Sequence, residues 1–292
     1  MNLELTNNYN EIIKKIRKAS EEAGRDPKNI KIIAVCKRQP TEKIIDAIKL
    51  GIEYFGENRF QDAAYRWEKL QNYRKQINLS FIGSLQSNKC KEVLGLFDKI
   101  ETIDRDKIAK IISQNLSTRE KSKELSIQVN TGEEKQKTGI IPQEASDFIS
   151  KCRRDYGLKI SGLMCIPPEK ENPAIHFALL QKIAIKNNIK YLSMGMSNDY
   201  ETAIMFGATH IRIGTGLFGK RLEKEGFYNL WPDLTFFVSK YFLAWIPTET
   251  FNGMTSKILI SRFSSWVFLS GLLVIRRIVP ILRRFNIFAA NE

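Results

Sequence analysis

The chain has 292 residues, of which 43% are hydrophobic and 27% charged, enough for one large folded domain or two modest ones. This composition excludes general disorder and a disulfide-dense scaffold. Because the chain has only two histidines, and four cysteines without C-x-x-C spacing, a histidine triad, a zinc ribbon and a histidine-rich metal site are disfavoured. We therefore expect no metal site.

The basic residues outnumber the acidic ones by 46 to 32, a net charge of +14 that invites a nucleic-acid or membrane interpretation. Most of this excess falls in residues 1–221, where lysines alternate with acidic residues on predicted helix faces. Since no block of five like charges occurs, solvated helix faces explain the charge better, and no nucleic-acid partner is expected. The N-terminus lacks the features of a signal peptide, which predicts a cytoplasmic location or an equivalent organellar interior.

Short apolar runs alternate with longer amphipathic segments up to about residue 220. The runs predict eight strands, at 31–36, 52–57, 79–84, 98–104, 124–130, 159–166, 190–196 and 209–215. Between them, 41–51 is a predicted helix with Thr41 as N-cap and Gly51 just past its end, and 172–187 is another with Pro173 in its first turn. This alternation predicts an α/β fold, a (β/α)8 barrel. A doubly wound sheet is the competitor, but no glycine fingerprint follows the first strand.

Candidate functional residues follow the predicted strands, because the loops after barrel strands converge at one face. Lys37 comes directly after the first strand, and segments rich in Gly, Ser and Thr follow the seventh and eighth. The loops after those last two strands commonly bind phosphate in barrels. A lysine amine together with a phosphate cradle suggests pyridoxal 5′-phosphate, which carries an aldehyde for the amine. Arg212 is placed to meet the pyridine nitrogen if its side chain points inward.

The residues alone leave structural alternatives open. A lysine at a strand end is most often a surface lysine, and strand-end glycines most often serve turns. Arg212 is equally suited to pairing with a carboxylate inside the barrel, and Asn58 to capping a helix. The two histidines, His176 and His210, are expected to be structural. The residues therefore predict a barrel with an anion site and a candidate lysine.

Eight stretches, taken in order, resemble the pyridoxal phosphate homeostasis protein family (YggS/PROSC type). They are IIAVCKRQP, YFGENRFQDA, FIGSLQSNK, IETIDR, IQVNTGEEKQKTGI, GLMCIPP, LSMGMSNDYETAI and HIRIGTGLFGKR. The resemblance covers residues 5–221, and the combination of SMGMSND with RIGTGLFG is highly specific. It implies a fold-type III barrel similar to the N-terminal domain of alanine racemase, with pyridoxal phosphate held as an internal aldimine on Lys37.

The resemblance also implies which other residues contact this cofactor. The implied phosphate ligands, on the last two loops, are Ser193, Ser197, Gly214 and Thr215. The residues implied to lie near the ring are Asn58 and Arg212. Two residues depart from the family pattern: Cys36 stands where serine is common, and Ser80 where histidine is common. Since side chains alternate along a strand, Cys36 should face away from Lys37.

The family is regarded as binding and handling the cofactor, so the implied function is intracellular pyridoxal phosphate homeostasis without established catalysis. Pyridoxal-phosphate-dependent apoenzymes are candidate partners, and a monomer is expected. The alternative function is that of a pyridoxal-phosphate-dependent amino-acid racemase. A racemase needs a second acid/base group opposite Lys37, and the sequence offers no good tyrosine or histidine for it.

The sequence changes character after residue 221, which predicts a boundary between a barrel (1–221) and an apolar, basic helical extension (222–292). Its apolar runs at 234–247 and 263–275 are shorter than the ~20 residues that span a bilayer. Arginines flank the second run, as in interfacial helices, which predicts peripheral membrane contact through 234–285. The extension loosely resembles YggT-type membrane proteins. An apolar cap on the barrel and a terminus produced by gene fusion stay open as alternatives.

Overall fold

The computed structural model describes residues 2–116 and 123–220 of the chain. Eight strands alternate with helices in these ranges, and each strand overlaps one of the eight runs predicted from the sequence. The strands are β1 (Lys31–Val35), β2 (Tyr54–Glu57), β3 (Asn78–Phe81), β4 (Lys99–Ile103), β5 (Glu124–Val129), β6 (Ile160–Cys165), β7 (Tyr191–Ser193) and β8 (His210–Ile213).

The described ranges contain nine α-helices, of which α1 (Leu3–Glu22) precedes the first strand. Each of the other eight follows one strand. They are α2 (Thr41–Lys49), α3 (Phe60–Lys69), α4 (Cys90–Leu96), α5 (Asp106–Asn115), α6 (Ala145–Arg154), α7 (Pro173–Lys186), α8 (Tyr200–Met205) and α9 (Thr215–Phe218). Short 3₁₀ turns precede or follow several of them.

The ends of the two predicted helices follow the expected chemistry with one exception. The side chain of Asn172 caps α7 by accepting from the Ala174 N–H at 3.1 Å. Gly51 follows α2 with a φ of +85°, the left-handed conformation that glycine adopts at little cost. Thr41 is the first helical residue of α2 rather than its cap. Pro40 holds the cap position, in an extended conformation that its ring favours.

Neighbouring strands are all parallel, and β8 pairs with β1, so the sheet closes into a barrel in the order β1 to β8. The closing register places Ile33 beside Arg212. Closure confirms the (β/α)8 prediction and excludes the open doubly wound sheet. Because the strands run in one direction, the residues that follow them gather at one end of the barrel, which we call the C-terminal mouth.

The strands divide their side chains between two environments. One set of alternating positions, such as Ile32 and Phe55, joins the buried apolar cluster with the surrounding helices. The other set faces the inside of the barrel and is largely polar. Its buried polar members include Ser80, Glu101, Ser126, Ser193 and Arg212. The hydrophobic core is therefore mainly the layer between strands and helices.

None of the helices in the described ranges combines the length and the apolar character that a membrane-spanning helix requires. The predicted extension (222–292) and its membrane contact through 234–285 fall outside the described residues. The boundary after residue 221 also stays a prediction.

Candidate functional site

Lys37 lies at the C-terminal mouth, two residues beyond the end of β1, and its side chain is half-buried. A tight turn follows, in which the Gln39 N–H donates to the Cys36 carbonyl at 3.0 Å and Arg38 adopts a left-handed φ of +56°. Cys36 is buried in the layer between strands and helices, the opposite side from the barrel interior, as alternation requires. Burial raises the pKa of its thiol well above the ordinary value, so Cys36 is held as a neutral thiol.

A buried ion pair braces this turn from behind. The Arg66 guanidinium on α3 bonds to the carboxylate of Glu57, the last residue of β2, and also donates to the Gln39 carbonyl at 3.1 Å. Both side chains are almost completely buried. Burial raises the pKa of Glu57, and the adjacent guanidinium opposes that rise. Sequence reasoning missed this pair; its only signal is an arginine nine residues after a strand-end glutamate.

Asn58 follows β2 directly and is half-buried at the same mouth. Its backbone lies against Gly83, where an added Cβ would sit 2.0 Å from the Asn58 carbonyl oxygen. The Thr102 hydroxyl holds Gly83 from the other side by donating to its carbonyl at 2.6 Å. Only glycine fits such a close approach. The contact with the segment after β3 therefore fixes the position of the Asn58 backbone along the barrel axis.

The loops after β7 and β8 meet each other, as predicted for a phosphate cradle. The Gly216 N–H donates to the Ser197 hydroxyl at 3.2 Å, which joins the two loops. Gly214 is buried beneath them, whereas Thr215 and Gly216 are exposed. A side chain on Gly216 would crowd the Ser197 hydroxyl at 3.2 Å. Ser197, Gly214 and Thr215 are thus brought to one place.

Arg212 points into the barrel and its guanidinium reaches the level of the C-terminal mouth. Nη2 donates to the carbonyl of Cys165, the last residue of β6, at 2.7 Å, and Nη1 donates to the Ser193 hydroxyl at 2.8 Å. The Ser193 hydroxyl in turn donates to Glu101 at 2.5 Å. Both hydrogen-bonding directions of Ser193 are therefore used inside the barrel, and its contact with a phosphate stays a prediction.

The opposite end of the barrel holds a second cluster of polar and aromatic side chains. Lys99 pairs with Glu124 at 2.5 Å, and its amine lies 3.8 Å from the centroid of the Tyr191 ring. His210 packs edge-on against Tyr54 at 5.4 Å between ring centroids and also touches Tyr191. Burial, with the positive charge of nearby lysines, lowers the pKa of His210 to about 2. His210 is therefore a neutral structural residue.

The arrangement at the C-terminal mouth combines an amine, a guanidinium and a pair of joined loops that present hydroxyl and N–H groups. An amine can react with a carbonyl carbon, and a guanidinium can bind a ring nitrogen or an anion. Loops with hydroxyl and N–H groups can bind a phosphate. The amine, the guanidinium and the joined loops thus lie at one end of the closed barrel.

The barrel matches a known family over most of its length. The family model described as "Alanine racemase, N-terminal domain" matches residues 8–221. The pyridoxal phosphate homeostasis protein of Pseudomonas aeruginosa is 36% identical over 222 residues, which cover 74% of this chain and 96% of the relative. The protein of the same name from Vibrio cholerae is 37% identical over 224 residues, covering 73% of this chain and 95% of the relative.

Solved structures agree with the sequence relatives. An unknown protein from Bifidobacterium adolescentis superposes with a TM-score of 0.69 at 29% identity, covering 74% of this chain and 94% of that one. PipY of Synechococcus elongatus, solved with pyridoxal phosphate bound, superposes with a TM-score of 0.60 at 28% identity, covering 70% of this chain and all of that one. Several alanine racemases share the fold at lower identity.

Proposed function

Because the chain belongs to the alanine racemase N-terminal domain family, with pyridoxal phosphate homeostasis proteins among its relatives, we propose that it binds pyridoxal 5′-phosphate through Lys37. Pyridoxal phosphate supplies an aldehyde that condenses with a lysine amine, and a phosphate that anchors it. Lys37 is the residue that would form this bond. Lys37 is half-buried at the C-terminal mouth.

One observation carries the proposal: Lys37, the Arg212 guanidinium and the joined loops of Ser197 and Gly216 all lie at the same end of a closed barrel. The other end is closed by packed aromatic rings and paired charges. A ligand that needs both an amine and a phosphate cradle therefore has one place to bind among the described residues.

We assign the remaining contacts as follows. Ser197 and Thr215, with backbone N–H groups next to Gly214, would hold the phosphate. Arg212 would face the ring nitrogen, where a fixed positive charge disfavours a proton on that nitrogen and so weakens electron withdrawal by the ring. Asn58, fixed in height by Gly83, would line the ring. Ser193 would contribute through Arg212, because its hydroxyl already has two partners.

We further propose that the protein takes part in pyridoxal phosphate homeostasis, holding the reactive aldehyde and releasing it to apoenzymes. The names of the relatives support this part of the proposal. The recipient apoenzymes, the monomeric state and the cytoplasmic location stay predictions of the sequence.

The test is an absorbance spectrum of the protein after incubation with pyridoxal phosphate and removal of the free cofactor. We expect a visible band in the wild type and its loss in Lys37→Ala. The matched control is Lys31→Ala, because Lys31 is an exposed lysine at the other end of the same strand. Reduction with borohydride followed by peptide mapping should place the added mass on the peptide that contains Lys37.

Several results would refute the proposal. One is a wild-type protein that stays colourless at saturating cofactor. Another is a band that survives in Lys37→Ala, or a reduced adduct that maps to a different lysine. A band that is lost equally in Lys31→Ala would also count against a specific role for Lys37.

A further inference from the structure

A continuous hydrogen-bonded chain crosses the inside of the barrel beneath the C-terminal mouth. It runs from Arg212 on β8 to Ser193 on β7, and from there to Glu101 on β4 at 2.5 Å. The other carboxylate oxygen of Glu101 accepts from the Tyr191 hydroxyl at 2.5 Å. Glu101 and Ser193 are completely buried, and Arg212 is 4% exposed. This chain was not visible in the sequence, where Glu101 and Ser193 stand 92 residues apart.

The carboxylate sets the direction of every hydrogen bond in this chain. A carboxylate only accepts, so both hydroxyls beside Glu101 must donate to it. A serine hydroxyl has a single hydrogen, and once that hydrogen points to Glu101 its lone pairs face Arg212. Ser193 is therefore locked as an acceptor for the guanidinium, which can only donate.

We propose that Glu101 is a positioning residue that aims the Arg212 guanidinium at the bound cofactor, acting through Ser193. This inference rests on the proposed function, since the target of Arg212 is the ring of pyridoxal phosphate. Arg212 has two anchors, the Ser193 hydroxyl and the Cys165 carbonyl. Two anchors on different strands fix the plane of the guanidinium, whereas one would leave it free to rotate.

The positioning also has an electrostatic side. Arg212 is a buried cation, and the Glu101 carboxylate is the negative charge to which its hydrogen-bonded chain leads. A buried charge without a compensating partner is strongly disfavoured. The Glu101 carboxylate thus stabilises the positive charge of Arg212 inside the barrel. Because the Ser193 hydroxyl lies between them, the carboxylate and the guanidinium are not in direct contact.

Glu101→Gln is the informative change because it keeps the size of the side chain and removes the second acceptor. An amide accepts through one atom and donates through the other, so it cannot accept from both hydroxyls. One of the two buried hydroxyls then loses its acceptor, or Ser193 turns its hydrogen towards Arg212 and gives up that bond. When Ser193 is the hydroxyl affected, the guanidinium loses one of its two anchors, and in every case it loses the negative charge to which its hydrogen-bonded chain leads.

The test is a double-mutant cycle on the dissociation constant for pyridoxal phosphate, measured from the visible absorbance band. We expect Glu101→Gln and Ser193→Ala each to weaken binding about tenfold, and the double variant to weaken it about tenfold as well. The matched control is Ser126→Ala, a buried serine of the same barrel interior without a hydrogen-bond partner in the described residues, expected to stay within about twofold of the wild type. The absorbance maximum of the bound cofactor should shift in the first three variants and not in the control.

The outcomes separate this inference from the proposed function. If the wild type shows a Lys37-dependent band but Glu101→Gln binds like wild type, the positioning role is wrong and the proposed function stands. A double variant weakened about a hundredfold would show that the two residues act independently, which also overturns the inference. A wild type that binds no cofactor would overturn both. If Glu101→Gln does not fold, the test is the comparison of Ser193→Ala with Ser126→Ala. Equal affinities for pyridoxal phosphate and equal absorbance spectra of these two variants would refute the positioning role.

Discussion

The neutral state of His210 predicts how acid destabilises the barrel. The pKa of this imidazole falls from an ordinary 6.5 to about 2 in the folded chain, because burial and the nearby Lys99 and Lys31 disfavour the charged form. Below about pH 6.5 the unfolded chain therefore binds a proton that the folded chain does not. The stability that His210 contributes is fully present above about pH 6.5 and is lost as the pH falls towards 2.

The size of the loss follows from the difference between the two states. Each pH unit below the unfolded pKa costs about 1.36 kcal/mol while the folded state stays unprotonated. At about pH 5, which is about 1.5 units below the unfolded value, His210 should account for a loss of about 2 kcal/mol.

The assay is urea unfolding of the full chain, followed by far-ultraviolet circular dichroism at about pH 7.5 and about pH 5. Carboxylates also titrate in this window, so the informative quantity is the difference between wild type and His210→Gln. We expect the variant to lose about 2 kcal/mol less than the wild type on acidification. The other histidine offers a control, since His176→Gln retains the contribution of His210. Equal losses in wild type and His210→Gln would refute the reasoning.

Two further predictions concern the brace around the site. Arg66→Met leaves the buried carboxylate of Glu57 without its partner and should lower the free energy of unfolding, measured in urea, by about 3–5 kcal/mol. The control is Arg154→Met, because Arg154 is exposed and its loss should leave the free energy of unfolding unchanged. Equal effects of the two changes would contradict the stabilising role of the Arg66–Glu57 pair. Gly83→Ala places a methyl group against the Asn58 carbonyl and should lower both the thermal midpoint, by the equivalent of about 1–3 kcal/mol, and the affinity for pyridoxal phosphate. Gly95→Ala, where an added Cβ meets nothing within 4 Å, is its control, and equal midpoints would contradict the close approach.

The barrel was predictable because its sequence signals are local. Strands of three to six residues, many with β-branched side chains, alternate with helices, and this alternation is visible without any knowledge of pairing. The strands end earlier than predicted where the last residues of a run turn into the mouth, as at 190–196, of which only Tyr191–Ser193 is a strand. In the run 190–196 the trailing residues belong to the loop after β7, and in the run 209–215 the trailing Gly214 and Thr215 belong to the predicted phosphate cradle. The composition of these trailing residues is similar to that of the strands, but their backbone lies in the loops.

The sequence predicted the position of a candidate site residue when that residue directly follows a strand. It did not predict hydrogen bonds between side chains that come from different strands. The placement of Lys37, Asn58 and Ser197 at one mouth follows from strand order alone. The hydrogen-bond partners of Arg212 depend on which residues of β4, β6 and β7 lie at the same level along the barrel axis. This level is set by the register of the strand pairs around the whole barrel. Irregular register in β4 between Ile100 and Ile103 makes such heights impossible to read from spacing.

The two faces of the strands explain how the barrel tolerates charges in its interior. Outward positions such as Phe55 and Ile100 join the helix layer, and burial there supplies about 25 cal/mol for each Å² of apolar surface removed from water. Inward positions contribute less apolar burial and carry Glu101, Arg212 and Ser193, whose hydrogen bonds offset part of the cost of burying them. Changes on the outward face should therefore act first on stability, whereas changes on the inward face near the mouth should act first on ligand binding. The basic excess of the whole sequence, which invited a nucleic-acid interpretation, bears on this site through the Arg212 guanidinium and the Lys37 amine at the mouth.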